Sequence, residues 1–120
     1  MKLERIAKPE AVEQLIISID PPDQVDRWIE LDHEIWSKGL AKWPGYIRKE
    51  VWSNPDKPGI LTILIYWESL EQWKAVDLDW LMETDRLFDE SFFPAKAEII
   101  GTPHEENQQY LIAHSSGIGD

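Results

Sequence analysis

The sequence predicts an α+β fold in which two helical regions cover one side of a four-stranded antiparallel sheet, in the order β-α-β-β-α-β. Three observations predict it. Four short stretches rich in β-branched and aromatic residues are set apart by turn chemistry or by helical periodicity. A dense turn, NPDKPG from Asn54 to Gly59, joins the middle two stretches into a hairpin. Directly after the hairpin, Ser69-Leu-Glu-Gln has the form of a capping box and opens a helix.

Each element follows in chain order. VEQLIISI, Val12 to Ile19, is the first strand. Asp20-Pro-Pro-Asp then reads as a helix start, with an acidic N-cap, proline in the first turn and a second acid three residues on. This helix is expected to run to about Lys38, where Gly39 offers a C-cap. At about 100° per residue, Val25, Trp28, Ile29, Ile35, Trp36 and Gly39 gather on one face. Asp32 falls near the middle of that face, and His33 lies toward its edge. Trp43-Pro-Gly breaks the chain, YIRKEVWS (Tyr46 to Ser53) is the second strand, and ILTILIYW (Ile60 to Trp67) is the third. The helix after Ser69 carries Leu70, Trp73 and Val76. A further helical stretch from about Asp77 to Phe88 aligns Trp80, Leu81, Thr84, Leu87 and Phe88. AKAEIIG, Ala95 to Gly101, is the last strand. Residues 1–104 therefore read as one ferredoxin-like domain, and 105–120 as a polar C-terminal tail, frayed or borrowed by a neighbour.

Two helical regions can cover only one face of such a sheet. Yet the third strand is apolar on both faces, with Leu61, Ile63, Ile65 and Trp67 on one and Ile60, Leu64 and Tyr66 on the other. A sheet that is hydrophobic on both sides needs cover on both sides, and an identical sheet is the simplest second cover. The expectation is a homodimer through the sheet faces, the architecture of a dimeric α/β barrel.

Composition narrows the function classes. The 120 residues carry a formal net charge of −11, which argues against nucleic acid or an anionic membrane as partner. The longest apolar run, Ile60 to Trp67, is too short to span a bilayer, and the N-terminus has no apolar signal core. A cytoplasmic location is expected by default. The absence of cysteine excludes disulfides, thiol nucleophiles and thiolate metal sites. His33, His104 and His114 lack metal-ligand spacing, so no metal is expected. Asp77, Asp79, Glu83, Asp85, Asp89 and Glu90 read as a solvated helix face. Seven tryptophans are a large commitment to flat side chains, which fill cores and also wall the pockets of flat ligands.

WPGYIRKEVW, the turn, and LTILIYWESLEQW together resemble the middle of the antibiotic biosynthesis monooxygenase-like domains of the dimeric α/β-barrel superfamily. In those domains a proline-glycine turn leads into a hairpin whose second strand ends in a Trp-Glu pair before a short helix. The match runs from about Val12 to Gly101, and more narrowly it resembles a small uncharacterised cyanobacterial family of that fold. The resemblance implies a cleft between helices and sheet and, in some relatives, oxygenation without a cofactor. Many of these domains carry a histidine about nine residues after the Trp-Glu tryptophan; that position is Val76, and Glu68 to Phe93 contains no histidine. Haem ligation by that geometry is not expected here, and no cofactor is expected.

What remains is Asp32. A carboxylate facing an apolar interior binds a donor, takes up a proton or lines a wet cavity. One reading makes it a structural anchor, accepting hydrogen bonds from Arg48, a tryptophan N–H or a tyrosine hydroxyl, in a non-catalytic binding or interaction module. The other makes Asp32 a proton acceptor and His33 a second proton carrier at a small-molecule cleft. Trp28, Trp36, Trp67 and Trp73 would form flat walls, with Arg48 or Tyr66 as donor. Such a site would suit cofactor-independent oxidation or isomerisation of an aromatic or enolic compound.

Overall fold

The computed structural model describes residues 2–5, 11–102 and 111–119. The predicted elements form in the predicted order. Strand β2 (Ala11–Asp20) leads through a 3₁₀ turn (Pro22–Gln24) into helix α1 (Val25–Leu31), a π-helical stretch (Asp32–Ser37) and helix α2 (Lys38–Leu40). The hairpin β3 (Tyr46–Ser53) and β4 (Ile60–Trp67) follows, then α3 (Leu70–Lys74), α4 (Leu78–Phe92) and β5 (Lys96–Gly101). The four strands make one antiparallel sheet in the order β3-β4-β2-β5. This is the ferredoxin-like α+β fold. Among the described residues no helix is long and apolar enough to cross a membrane.

β4 lies inside the sheet between β3 and β2, so both its edges are paired within the sheet, while its two apolar faces need cover from outside it. Toward the helices it buries Leu61, Ile63, Ile65 and Trp67, and toward the open face Leu64 and Tyr66. The main core forms between helices and sheet around Trp28, Trp67, Phe88 and Phe92. A second, smaller cluster of Val12, Leu64 and Tyr66 lies on the open face, with Ile112 packed against it.

The ends of the chain differ from expectation. The sequence offers no strand before Ala11, but Lys2–Arg5 (β1) pairs antiparallel with Ser116–Gly119 (β6) in a separate ribbon. The last described residues of the tail are therefore strand rather than frayed. His104 lies outside the described residues.

Local capping chemistry is as read after the hairpin and different before it. The Ser69 hydroxyl accepts from the Gln72 amide at 3.1 Å, and Asp77 caps α4 by accepting from the Trp80 amide at 3.0 Å. Asp20 caps nothing: it ends β2, and the first helical turn has no side-chain cap. The Arg27 guanidinium instead donates to the Phe92 and Ser91 carbonyls at 2.8 and 2.6 Å, tying α1 to the C-terminal end of α4.

Gly39 lies inside α2, not beyond its end. Its role is close approach. A Cβ there would stand 2.6 Å from the Trp80 ring, which is itself wedged edge-on against Trp36 and Trp43 at 5.9 and 5.7 Å between centroids. Gly39→Ala should therefore destabilise the protein by about 1–3 kcal/mol, overpacking outweighing the better helix propensity of alanine. Urea unfolding of the two proteins checks this, and equal or greater stability in the variant would show that the tryptophans repack freely.

Candidate functional site

A face that repeats every four residues builds one wall of the site. Trp28, Asp32, Trp36 and Leu40 all border a single cavity, although four α-helical residues advance about 400° and such a stripe would drift. The π-helical stretch between Asp32 and Ser37 counters the drift, because its wider turn adds residues without adding rotation. The Lys38 amide accordingly donates to the His33 carbonyl five residues back. Ile29, assigned by uniform periodicity to the inner face, is 38% exposed.

The sheet supplies the opposite wall, and a β-bulge decides which side chains it presents. Tyr46 pairs with Trp67 and Arg48 with Tyr66, so two residues of β3 oppose one step of β4. Strict alternation from Tyr46 would turn Arg48 inward. The bulge turns Lys49 inward instead, alongside Ile65, and sends Arg48 to the open face. There the Arg48 guanidinium stacks over the Tyr66 ring at 4.0 Å, and the Tyr66 hydroxyl donates to Glu50 at 2.7 Å. Neither Arg48 nor Tyr66 reaches the cavity, which corrects their placement as cleft donors.

Lys49 takes the place foreseen for Arg48. Its Nζ donates to both Asp32 carboxylate oxygens, at 2.9 and 3.1 Å, and both side chains are 6% exposed. Burial pushes the Asp32 carboxyl above its ordinary value, while the Lys49 charge and hydrogen bonds and the His33 charge pull it down without cancelling that effect. Nearby, burial raises the half-buried Tyr46 hydroxyl, a hydrogen bond with Ser37 opposing this and the Asp32 charge adding to it.

The space between helices and sheet, partly open to solvent, has a volume of about 630 Å³. This lies within the range of small-molecule sites. Trp28, Trp36, Trp67 and Trp73 all border it, joined by Phe88 from α4. His33, by contrast, is exposed and forms no part of the wall, and His114 is exposed as well. Glu13 is a wall residue that the sequence reading passed over. It pairs across β4 with the same residue, Ile65, as Lys49 does, so Lys49, Ile65 and Glu13 form one cross-strand row. The Trp67 indole N–H donates to Glu13 at 3.3 Å. The signal was available: stepping back by twos from Ile17 and Leu15 puts Glu13 on the helix-facing side of β2. No group of metal-ligating side chains occurs among the described residues.

The architecture is shared with proteins of known structure. SnoaB, a cofactor-independent oxygenase from Streptomyces nogalater, superposes with a TM-score of 0.52 at 11% identity, covering 78% of this chain and 93% of that one. The ActVA-Orf6 monooxygenase of Streptomyces coelicolor, solved with nanaomycin D, gives 0.57 at 17% identity over 79% and 88% of the two chains. A dimeric ferredoxin-like protein from an uncultured marine organism gives 0.52 at 10% identity over 79% and 90%. These likenesses establish the fold, the one that the hairpin motif implied. No protein-family model and no curated protein matches the sequence.

The buried pair makes a sharp prediction about stability. Lys49→Met leaves Asp32 buried without its cation and should cost about 3 kcal/mol near neutral pH. Loss of the cation raises the Asp32 carboxyl further. A carboxyl raised on folding contributes stability at acid pH that is lost as the pH rises through its folded value, so the deficit of the variant should grow with pH. Replacing both partners, Asp32→Leu with Lys49→Met, should recover most of the loss. Urea titrations of the three proteins across mildly acid to mildly alkaline pH check this. A pH-independent deficit would mean that losing the Lys49 cation does not change the protonation of Asp32 in the folded protein over that range.

Proposed function

From the fold shared with two Streptomyces oxygenases, we propose that this protein binds a flat aromatic or enolic small molecule between its helices and sheet. We read the reaction as cofactor-independent oxidation or isomerisation. The observation that carries the reading is the tryptophan-walled cavity of about 630 Å³ with the Asp32–Lys49 pair in its wall. Asp32 is the proton acceptor. Its raised carboxyl is matched to a weakly acidic hydroxyl better than an exposed aspartate would be. Lys49 then follows the charge from the carboxylate to the ring oxygen. Trp28, Trp36, Trp67 and Trp73 hold the ring and keep water away. In an oxidation, the ring anion passes an electron to dioxygen, the two radicals combine at a ring carbon, and loss of water leaves a carbonyl. One O₂ is consumed per carbonyl formed and per water released.

A specific observation favours a second reading. Lys49 binds both Asp32 oxygens, as an anchor between the π-helical stretch and β3 would require. In that case the protein is a non-catalytic binding or interaction module. Titration with a panel of quinols, phenols and haem, followed by tryptophan fluorescence, separates the two. The proteins to compare are the parent, Asp32→Asn, and the doubly neutral Asp32→Asn/Lys49→Gln. Saturable quenching in the parent that falls about tenfold or more in a folded neutral pair supports the site, with turnover then lost about 100-fold. Quenching unchanged in the neutral pair assigns Asp32 to anchoring alone.

The same reading pairs two copies of the chain through their open sheet faces. In support, that face carries the Val12, Leu64 and Tyr66 cluster, and Trp52 and Ile100 are 55% and 54% exposed. A similar solved structure is itself a dimer. Sedimentation should give a dimer for the parent and a shift toward monomer for Trp52→Lys, and a monomeric parent would overturn the pairing.

A further inference from the structure

We propose that the cavity admits its ligand uncharged and discriminates against the same ring system carrying a carboxylate or sulfonate. The inference rests on the small-molecule reading above and names the charge class of its substrate.

The charges around the cavity carry it. Glu13 from β2, Asp32 from the π-helical stretch, and Asp85 and Asp89 from α4 border the space, against Lys49 from β3 and Lys74 from α3. Four carboxylates thus face two ammoniums. Lys49 is already engaged by both oxygens of Asp32, and Lys74 is exposed with its ammonium over the Trp73 ring at 4.3 Å, where solvent screens its attraction for an anion. Asp85 and Asp89 stand one helical turn apart at the rim. The Asp89 carboxyl is raised first by burial and then by the Asp85 charge. The chain as a whole, at −11, adds to this field.

A neutral hydroxyl escapes the penalty. When a ring O–H gives its proton to Asp32, that O–H bond breaks, a new one forms on the carboxylate, and the electron pair stays on the ring oxygen. One negative charge has moved by a few ångströms within reach of the same ammonium. The total charge in the cavity is unchanged. A ligand that arrives ionised adds a charge to a wall where four carboxylates already outnumber two ammoniums, the buried one shared with Asp32. A like charge about 7 Å away at an effective dielectric near 20 weakens binding at least about tenfold.

The test compares matched rings by calorimetry at low ionic strength: 2-naphthol with 2-naphthoate, and 9-phenanthrol with 9-phenanthroate. Each hydroxyl compound should bind at least about tenfold more tightly than its carboxylate. The gap should narrow with added salt and in Asp85→Asn/Asp89→Asn, whose changes lie at exposed positions and leave the core intact. Equal or tighter binding of the carboxylates overturns the charge assignment while leaving the cavity reading in place. No binding of any of the four rings overturns both.

Discussion

Taking a carboxylate and an ammonium out of water costs several kcal/mol for each ion, and Asp32 with Lys49 offsets that cost only by meeting at 2.9 and 3.1 Å. The helix layer is positioned by that requirement. The π-helical stretch carries Asp32 to the sheet, and the bulge in β3 carries Lys49 to the helix. Two departures from regular geometry, one in each layer, converge on one contact. Either departure alone would leave a buried charge without its partner.

The space beside the pair follows from what surrounds it. Tryptophan is bulky and rigid, and Trp36, which borders the space, is braced edge-on by Trp80, itself packed against Trp43. On the sheet side, the row Lys49, Ile65, Glu13 interrupts an otherwise apolar surface with two charged groups. A polar row facing aromatic walls leaves a volume that hydrocarbon would fill poorly, because the charged groups must keep hydrogen-bonding partners.

Much of the fold was legible because each signal was local. NPDKPG fixes a hairpin whatever surrounds it, and Ser69 and Asp77 cap their helices through residues three positions away. Asp32 was visible as an anomaly for the same reason, since helical periodicity is a local property. Its partner was not. The choice between Arg48 and Lys49 turns on a single bulged residue, Ile47, and bulges arise from strand pairing that periodicity alone does not register. Glu13 was overlooked although its alternation with Leu15 and Ile17 is plain, and His33 was weighed as a proton carrier but points to water. The capping role assigned to Asp20 failed because the adjoining prolines extend β2 to that residue before the helix begins.

By itself, the sequence determined the element order, the two-sided hydrophobicity of the central strand, and the presence of a carboxylate on an inward helix face. These are properties of residue type and spacing along the chain. Only the tertiary structure decided which cation meets Asp32, that the helix widens to align Trp28, Asp32, Trp36 and Leu40, and that open space remains between them. The physical reason is that a buried charge is satisfied by what lies across the interface. Lys49 is 17 residues away in sequence and belongs to the other layer.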